Sequence, residues 1–154
     1  MSTIERAIQI AASAHAGATD KGGMPYIFHP IRVMMAVSGT HEKMAAVLHD
    51  VVEDTDVTLD MLRDEGFPAE VVSAVGLLTK RKGERYMDFI RRLSCDPVAS
   101  AVKVADLVDN LDESRLPEIR ERDIARLEKY RHALTLLESL RHPDGVRRPS
   151  FRAQ

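Results

Sequence analysis

The chain has a single cysteine, Cys95, so it cannot build an internal disulfide framework or a cysteine-clustered zinc site. That poverty suits a reducing compartment. A dominant charge is lacking too. The 22 Lys+Arg stand against 24 Asp+Glu, a formal net charge of -2, and no overall basic field points to DNA or RNA. A local groove can still hold phosphates. No stretch reaches the roughly 18 apolar residues that a membrane-spanning helix needs. The opening MSTIERAIQIAASAHAG carries Glu5 and Arg6 early and has no uninterrupted apolar run, so it does not read as a signal peptide. The expectation is a cytoplasmic protein without a membrane partner.

With 154 residues, 44% hydrophobic and 30% charged, the chain can bury one substantial core and is too apolar for global disorder. One domain over residues 1–140 is expected. From Arg141 the text becomes RHPDGVRRPSFRAQ, rich in arginine and proline and poor in periodicity, which reads as a basic, flexible tail over 141–154. Upstream the spacing is helical. Ile4, Ala7, Ile8, Ala11 and Ala12 predict a first helix that stops near Gly17. DKGGMP is a loop, and PYIFHP is a short extended piece before a helix near Ile31–Val37. Further helices are expected from about Glu42 to Val52, over Ala69–Leu78 after Pro68, and from the capping pair Asp96-Pro97. A last amphipathic helix carries Ile124, Leu127, Tyr130, Leu134 and Leu137. No segment shows convincing strand alternation, so the fold class is all-α, a compact single-domain helical bundle.

The chemistry concentrates in AAVLHDVVEDTDVT. Continued as one helix, this segment puts His49, Asp50, Glu53 and Asp54 on one face, opposite Met44, Ala45, Leu48, Val51 and Val52. Such a face is commonly just solvated. Here it holds no lysine or arginine, and an imidazole beside crowded carboxylates is what a divalent cation would relieve. In SAVKVADLVDNLDES, Lys103, Asp106 and Asn110 share a face that Val102, Val104, Ala105, Leu107, Val108 and Leu111 surround. A buried Asp106 then needs a metal, a Lys103 ion pair or a capping role to stay charged. His29 stands just before a helix beginning at Pro30, as a helix-start hydrogen bonder or a third ligand-bearing residue.

His29, the doublet His49-Asp50 and the distant Asp106 match in order and spacing the H…HD…D signature of the HD superfamily of metal-dependent phosphohydrolases. HAGATDKGGMPYIFHPIRV, AAVLHDVVEDTDVT and VKVADLVDNLDE further resemble the glycine loop, the HD-x-x-ED element and the K-x-A-D-x-x-x-N element of the RelA/SpoT-type alarmone hydrolase domain and its small stand-alone relatives. The likeness covers roughly His15 to Tyr130. It implies an HD-type helical domain in which His29, His49, Asp50 and Asp106 hold a divalent metal, usually Mn²⁺, while Glu53 and Asp54 handle the attacking water. It also implies that Lys21, Asn110 and Tyr130 contact a small-molecule nucleotide. The implied reaction removes pyrophosphate from the ribose 3′ position of guanosine tetra- or pentaphosphate (ppGpp, pppGpp). Hydrolases of this kind often pair, so a homo-oligomer is an open expectation. Synthesis of the alarmone is not expected from so short a chain.

Two alternatives stay open. Where the alarmone hydrolases carry an arginine before Lys21, this chain has Asp20, and the glutamine often found after the loop's first glycine is Ala18. An arginine plane stacks on a purine and pairs with phosphate, whereas a carboxylate repels phosphate. That departure favours an HD hydrolase of another nucleotide or phosphoester. The other alternative is a non-enzymatic binding module that keeps the metal for stability, although stability alone does not call for Glu53 and Asp54. His15 reads as a core or loop-bracing residue, and Lys80, Arg81, Lys82 and Arg85 as a solvated run or a rim for polyphosphate.

Overall fold

The computed structural model describes residues 1–143, so all but the start of the expected tail lies outside the described residues. The described residues are helical with one isolated bridge between Thr19 and Pro25, which bears out the all-α reading. In chain order the helices are α1 (Ile4–Ala14), α2 (Phe28–Ala36), α3 (Thr40–Leu48), α4 (Val51–Asp54), α5 (Leu59–Asp64), α6 (Ala69–Leu78), α7 (Tyr86–Leu93), α8 (Pro97–Asn110) and α9 (Glu121–Arg141), with a 3₁₀ turn over Glu113–Arg115.

Local chemistry sets several starts. The Thr3 side chain accepts the Arg6 N–H to open α1, and Asp96 accepts the Ala99 N–H at 2.8 Å with Pro97 in the first turn of α8. Helix α2 begins at Phe28, two residues before the expected start at Pro30, so His29 lies inside its first turn. A proline is tolerated there because its missing N–H is one of the helix's unpaired donors anyway. The expected helix over Glu42–Val52 is split. The Ala46 carbonyl accepts the His49 backbone N–H at 3.4 Å and ring Nδ1 at 2.6 Å, which draws the chain into a turn at His49-Asp50. Helix α4 then restarts with the Asp54 N–H on the Asp50 carbonyl at 3.0 Å.

Helix α3 runs through the centre, with Met44 to Leu48 all buried, and packs on α1, α2, α6 and α8. Helix α8 packs on α2, α3, α6 and α9. It is less enclosed than its apolar text suggests, because Val108 points outward at 55% exposure. Ile124 likewise lies half exposed, while Leu127 and Leu137 carry the buried face of α9. Helices α5 and α7 lie where the sequence reading had no element. Leu62 anchors α5, and Phe89, Ile90 and Leu93 anchor α7.

Candidate metal centre and its surroundings

The mutual packing of α2, α3 and α8 brings four side chains of the signature together. His29 Nε2 lies 3.8 Å from Asp50 Oδ2 and 3.0 Å from Asp106 Oδ1. His49 Nε2 lies 3.1 Å from Asp50 Oδ2 and 3.5 Å from Asp106 Oδ1. Ligand atoms of His29, His49 and Asp50 all fall within 4.8 Å of one another, a group able to hold a metal ion. Asp106 faces both imidazoles at the edge of that group. Its Oδ2 accepts from Lys103 Nζ at 2.8 Å and its Oδ1 from the Asn110 amide at 2.9 Å. The Lys103 ion pair that the sequence left open is therefore present alongside the two histidines.

The donor set fits a divalent cation. A carbonyl oxygen only accepts, so the His49 Nδ1 contact with Ala46 puts the proton on Nδ1. That leaves His49 Nε2 buried, without a hydrogen-bond partner, and facing two carboxylates. Burial disfavours both imidazolium ions, yet the acidic neighbours outweigh it. Asp50 and Asp106 hold His49 well above its ordinary value, and hydrogen bonds to Asp106 and Asp109 raise His29. Burial likewise pushes the Asp50 and Asp106 carboxyls up, but His49 draws Asp50 below its ordinary value while Lys103 and His49 draw Asp106 well below. A cluster this acidic stabilises positive charge, as protons or as a metal that replaces them.

Glu53 and Asp54 sit on α4, one turn past the doublet. Burial raises both carboxyls above their ordinary values, with the Asp50 charge adding to the shift. The backbone N–H of Lys80 donates to Glu53 Oε1 at 3.2 Å. Asp54 forms part of the wall of an open cleft with Ser13, Asp56 and Met61, and a neighbouring groove lined by Arg6, Gln9 and Glu65 carries no member of the cluster.

Lys21 is exposed on the glycine loop. Next to it, Asp20 Oδ1 accepts the Gly22 and Met24 backbone N–H groups, both at 2.9 Å, so this carboxylate closes the loop on itself. Gly22 is required at its position, since a Cβ there would meet the Arg115 carbonyl at 2.5 Å. His15 is buried and lies 4.9 Å from the Tyr26 ring, a bracing position as expected. Tyr130 sits 6.2 Å from Tyr86, and the Lys129 ammonium lies 4.6 Å over the Tyr86 ring and 5.3 Å over Tyr130. Burial lowers the Lys129 value, and the charges of Lys103, Arg126 and Lys80 lower it further.

The sequence reading missed two side chains that touch the centre. The Tyr26 hydroxyl donates to Asp50 Oδ2, and Asp109 Oδ2 lies 2.6 Å from His29 Nδ1. Asp109 was legible as the residue one turn after Asp106, but nothing in sequence spacing aims it at α2.

Fold and site together agree with the helical domain of the HD type that the sequence resembles. A solved structure of a metazoan ortholog of SpoT that hydrolyses ppGpp shares the fold, with a TM-score of 0.72 and 22% identity over 94% of this chain and 97% of that one. By sequence, the resemblance to the RelA/SpoT-type enzymes is supported. The chain is 34% identical over 161 residues to a probable GTP pyrophosphokinase of Mycobacterium leprae, covering 95% of this chain and 20% of that protein. It is 33% identical over 120 residues to a guanosine-3′,5′-bis(diphosphate) 3′-pyrophosphohydrolase of Aquifex aeolicus, covering 70% of this chain and 17% of the relative. The bifunctional (p)ppGpp synthase/hydrolase SpoT of Escherichia coli is 33% identical over 159 residues, 93% of this chain and 22% of that protein. The chain thus spans about a fifth of the length of the curated relatives it matches. No family model matches it. Among the described residues, no helix is long and apolar enough to cross a membrane.

Proposed function

We propose that the chain is a metal-dependent phosphohydrolase that removes pyrophosphate from the ribose 3′ position of guanosine tetra- or pentaphosphate. The observation that carries this reading is the meeting of two imidazole Nε2 atoms with the buried Asp106 and part-buried Asp50 carboxylates at 3.0–3.8 Å, with a pair of further carboxylates one helical turn away. His29, His49, Asp50 and Asp106 would hold the ion, Mn²⁺ by the resemblance. When bound, a divalent ion supplies Lewis acidity toward water and a phosphoryl oxygen. Glu53, its Oε1 fixed by the Lys80 amide, takes the proton from the attacking water, and Asp54 helps to align it. Water then attacks the phosphorus attached to the 3′ oxygen, and the P–O bond to that oxygen breaks. The ribose oxygen takes up a proton.

The relatives' names include synthesis as well as hydrolysis, so they do not choose between the two. The site favours hydrolysis, because its acidic pair beside a metal-type donor set is machinery for activating water. A polyanionic substrate agrees with Lys129, whose ammonium lies over the Tyr130 ring and is disfavoured there by burial and by neighbouring cations. Lys21 would reach phosphate from the loop. Asn110 would contact the nucleotide with the amide groups left over from its bond to Asp106. A cytoplasmic location belongs to the same reading and rests on the lone cysteine. Asp20 favours a second reading, a different nucleotide or phosphoester, because the purine-stacking arginine is missing from its place.

The test is release of pyrophosphate and phosphate from a panel of nucleotides with Mn²⁺, for the wild type and for Asp50→Ala. Pyrophosphate from guanosine tetraphosphate, lost in the variant, is the expected result. Release only from another compound would replace the substrate. Bound metal with no turnover across the panel would leave a binding module.

A further inference from the structure

The histidine on α2 is held from behind by charge. His29 Nε2 faces Asp106 Oδ1 at 3.0 Å, while its Nδ1 meets Asp109 Oδ2 at 2.6 Å. Asp109 thus occupies the Nδ1 edge of the ring, and Nε2 is the ring atom turned toward the centre. Asp109 is itself immobilised. Its Oδ1 accepts from Arg32 Nε at 2.8 Å, and its Oδ2 from Arg32 Nη2 at 3.1 Å and Arg115 Nη2 at 3.3 Å. Arg115 Nη2 also donates to the Asp109 main-chain carbonyl at 2.7 Å, and its Nη1 to Asp112 at 3.0 Å. The Asp109 side chain is only 12% exposed. Two guanidinium groups therefore balance a carboxylate that would otherwise compete with Asp50 and Asp106 for a cation, while its short contact to the ring is kept.

We propose that Asp109, clamped by Arg32 and Arg115, is a positioning residue that fixes the tautomer and ring plane of His29 for metal binding. The proposal rests on the metal-site reading above. Neither the signature doublet nor the fold requires it, because His49 achieves the same end with a main-chain carbonyl. A carboxylate behind a ligating histidine aligns the ring and raises its basicity, and losing such a partner lowers metal affinity about 10- to 100-fold.

The test is Mn²⁺ affinity of the full chain, read from the loss of the free-ion electron paramagnetic resonance signal, beside thermal melts of each variant. Asp109→Asn should lose about 10- to 100-fold in affinity, and Asp109→Glu should recover part of it. Arg32→Met cuts the tie between α2 and α8 without touching the ring contact. It should lower Tm and change affinity far less than Asp109→Asn does. Wild-type affinity in a folded Asp109→Asn chain would overturn the proposal and leave Asp109 an ordinary interhelix ion pair. Should that variant fold poorly, proton–nitrogen correlation spectra of the Zn²⁺-loaded wild type decide instead. A proton on His29 Nδ1 supports the proposal, and one on Nε2 overturns it. A wild type that binds no divalent ion would sink the metal reading itself and the proposal with it.

Discussion

The two sides of the centre hold their ligands by different means. On the α3 side, the Ala46 carbonyl positions His49 and a single tyrosine hydroxyl supports Asp50. On the α2–α8 side, His29 and Asp106 depend on Asp109, Lys103 and Asn110, and through Asp109 on two arginines. A main-chain support comes with the local fold and is indifferent to side-chain substitution. A side-chain support must be encoded residue by residue. Apart from Tyr26, the α3 side should therefore fail only when a ligand is changed, whereas the α2–α8 side should also fail when any of several supporting residues is changed.

The sharpest probe of the α3 side is Asp50→Asn, which keeps shape and the Tyr26 neighbour and removes one charge. Phosphoester hydrolysis should fall to background, and Mn²⁺ affinity should fall with it. Next is Glu53→Gln, measured as kcat at saturating metal. Loss of a general base costs about 10²- to 10⁴-fold, and metal affinity should be unchanged. Asp54→Asn should cost less, because no amide fixes its carboxylate as Lys80 fixes Glu53. Equal losses would mean that the two share the proton. The α2–α8 side is tested by Lys103→Met. Breaking a largely buried ion pair by removing one partner costs about 3–5 kcal/mol, read as a lower midpoint in urea. An unchanged midpoint would show that the imidazoles alone neutralise Asp106 and would erase the contrast between the two sides.

The same contrast explains what was legible in the sequence. His49-Asp50, Glu53 and Asp54 are contiguous, so their meeting needs only local geometry, and even the unforeseen break at His49-Asp50 keeps them together. Asp106, Lys103 and Asn110 are also one helix face, and both predicted neighbours do touch Asp106. Asp109 escaped because its partners, His29 and Arg32, lie 80 and 77 residues away on another helix. Helix α7 was missed although Tyr86, Phe89, Ile90 and Leu93 have helical spacing, because the four arginines at 81, 85, 91 and 92 disguise a short apolar stripe. Asp20, read as a carboxylate that repels phosphate, is also an acceptor for two loop amides. Asp20→Arg is thus a poor probe of specificity, since it would open the Gly22–Met24 turn as well as add a cation.

The smallest effect belongs to the loop that delivers Lys80 to Glu53, a side-chain-held element outside the centre. Arg92 grips both carboxylate oxygens of Glu84, at 2.8 and 2.9 Å, and the Thr79 carbonyl at 3.0 Å, pinning both ends of the loop to α7. The Arg92 hydrogen bonds hold the Glu84 carboxyl down to about 2, against an ordinary 4.5. A carboxyl with a depressed folded value stabilises the fold above its unfolded value, and that contribution fades as pH falls from about 4.5 toward about 2. Glu84→Gln should remove this part of the acid sensitivity, about 1 kcal/mol, because the pair is only partly buried and water still screens it. Melts between pH 6 and about 2.5, the window set by that shift, should show a shallower slope for the variant than for the wild type. Identical slopes would mean that the clamp contributes nothing to stability. If kcat at neutral pH also falls in Glu84→Gln while KM holds, the loop's grip on Glu53 matters to the reaction, and side-chain support reaches the α3 side after all.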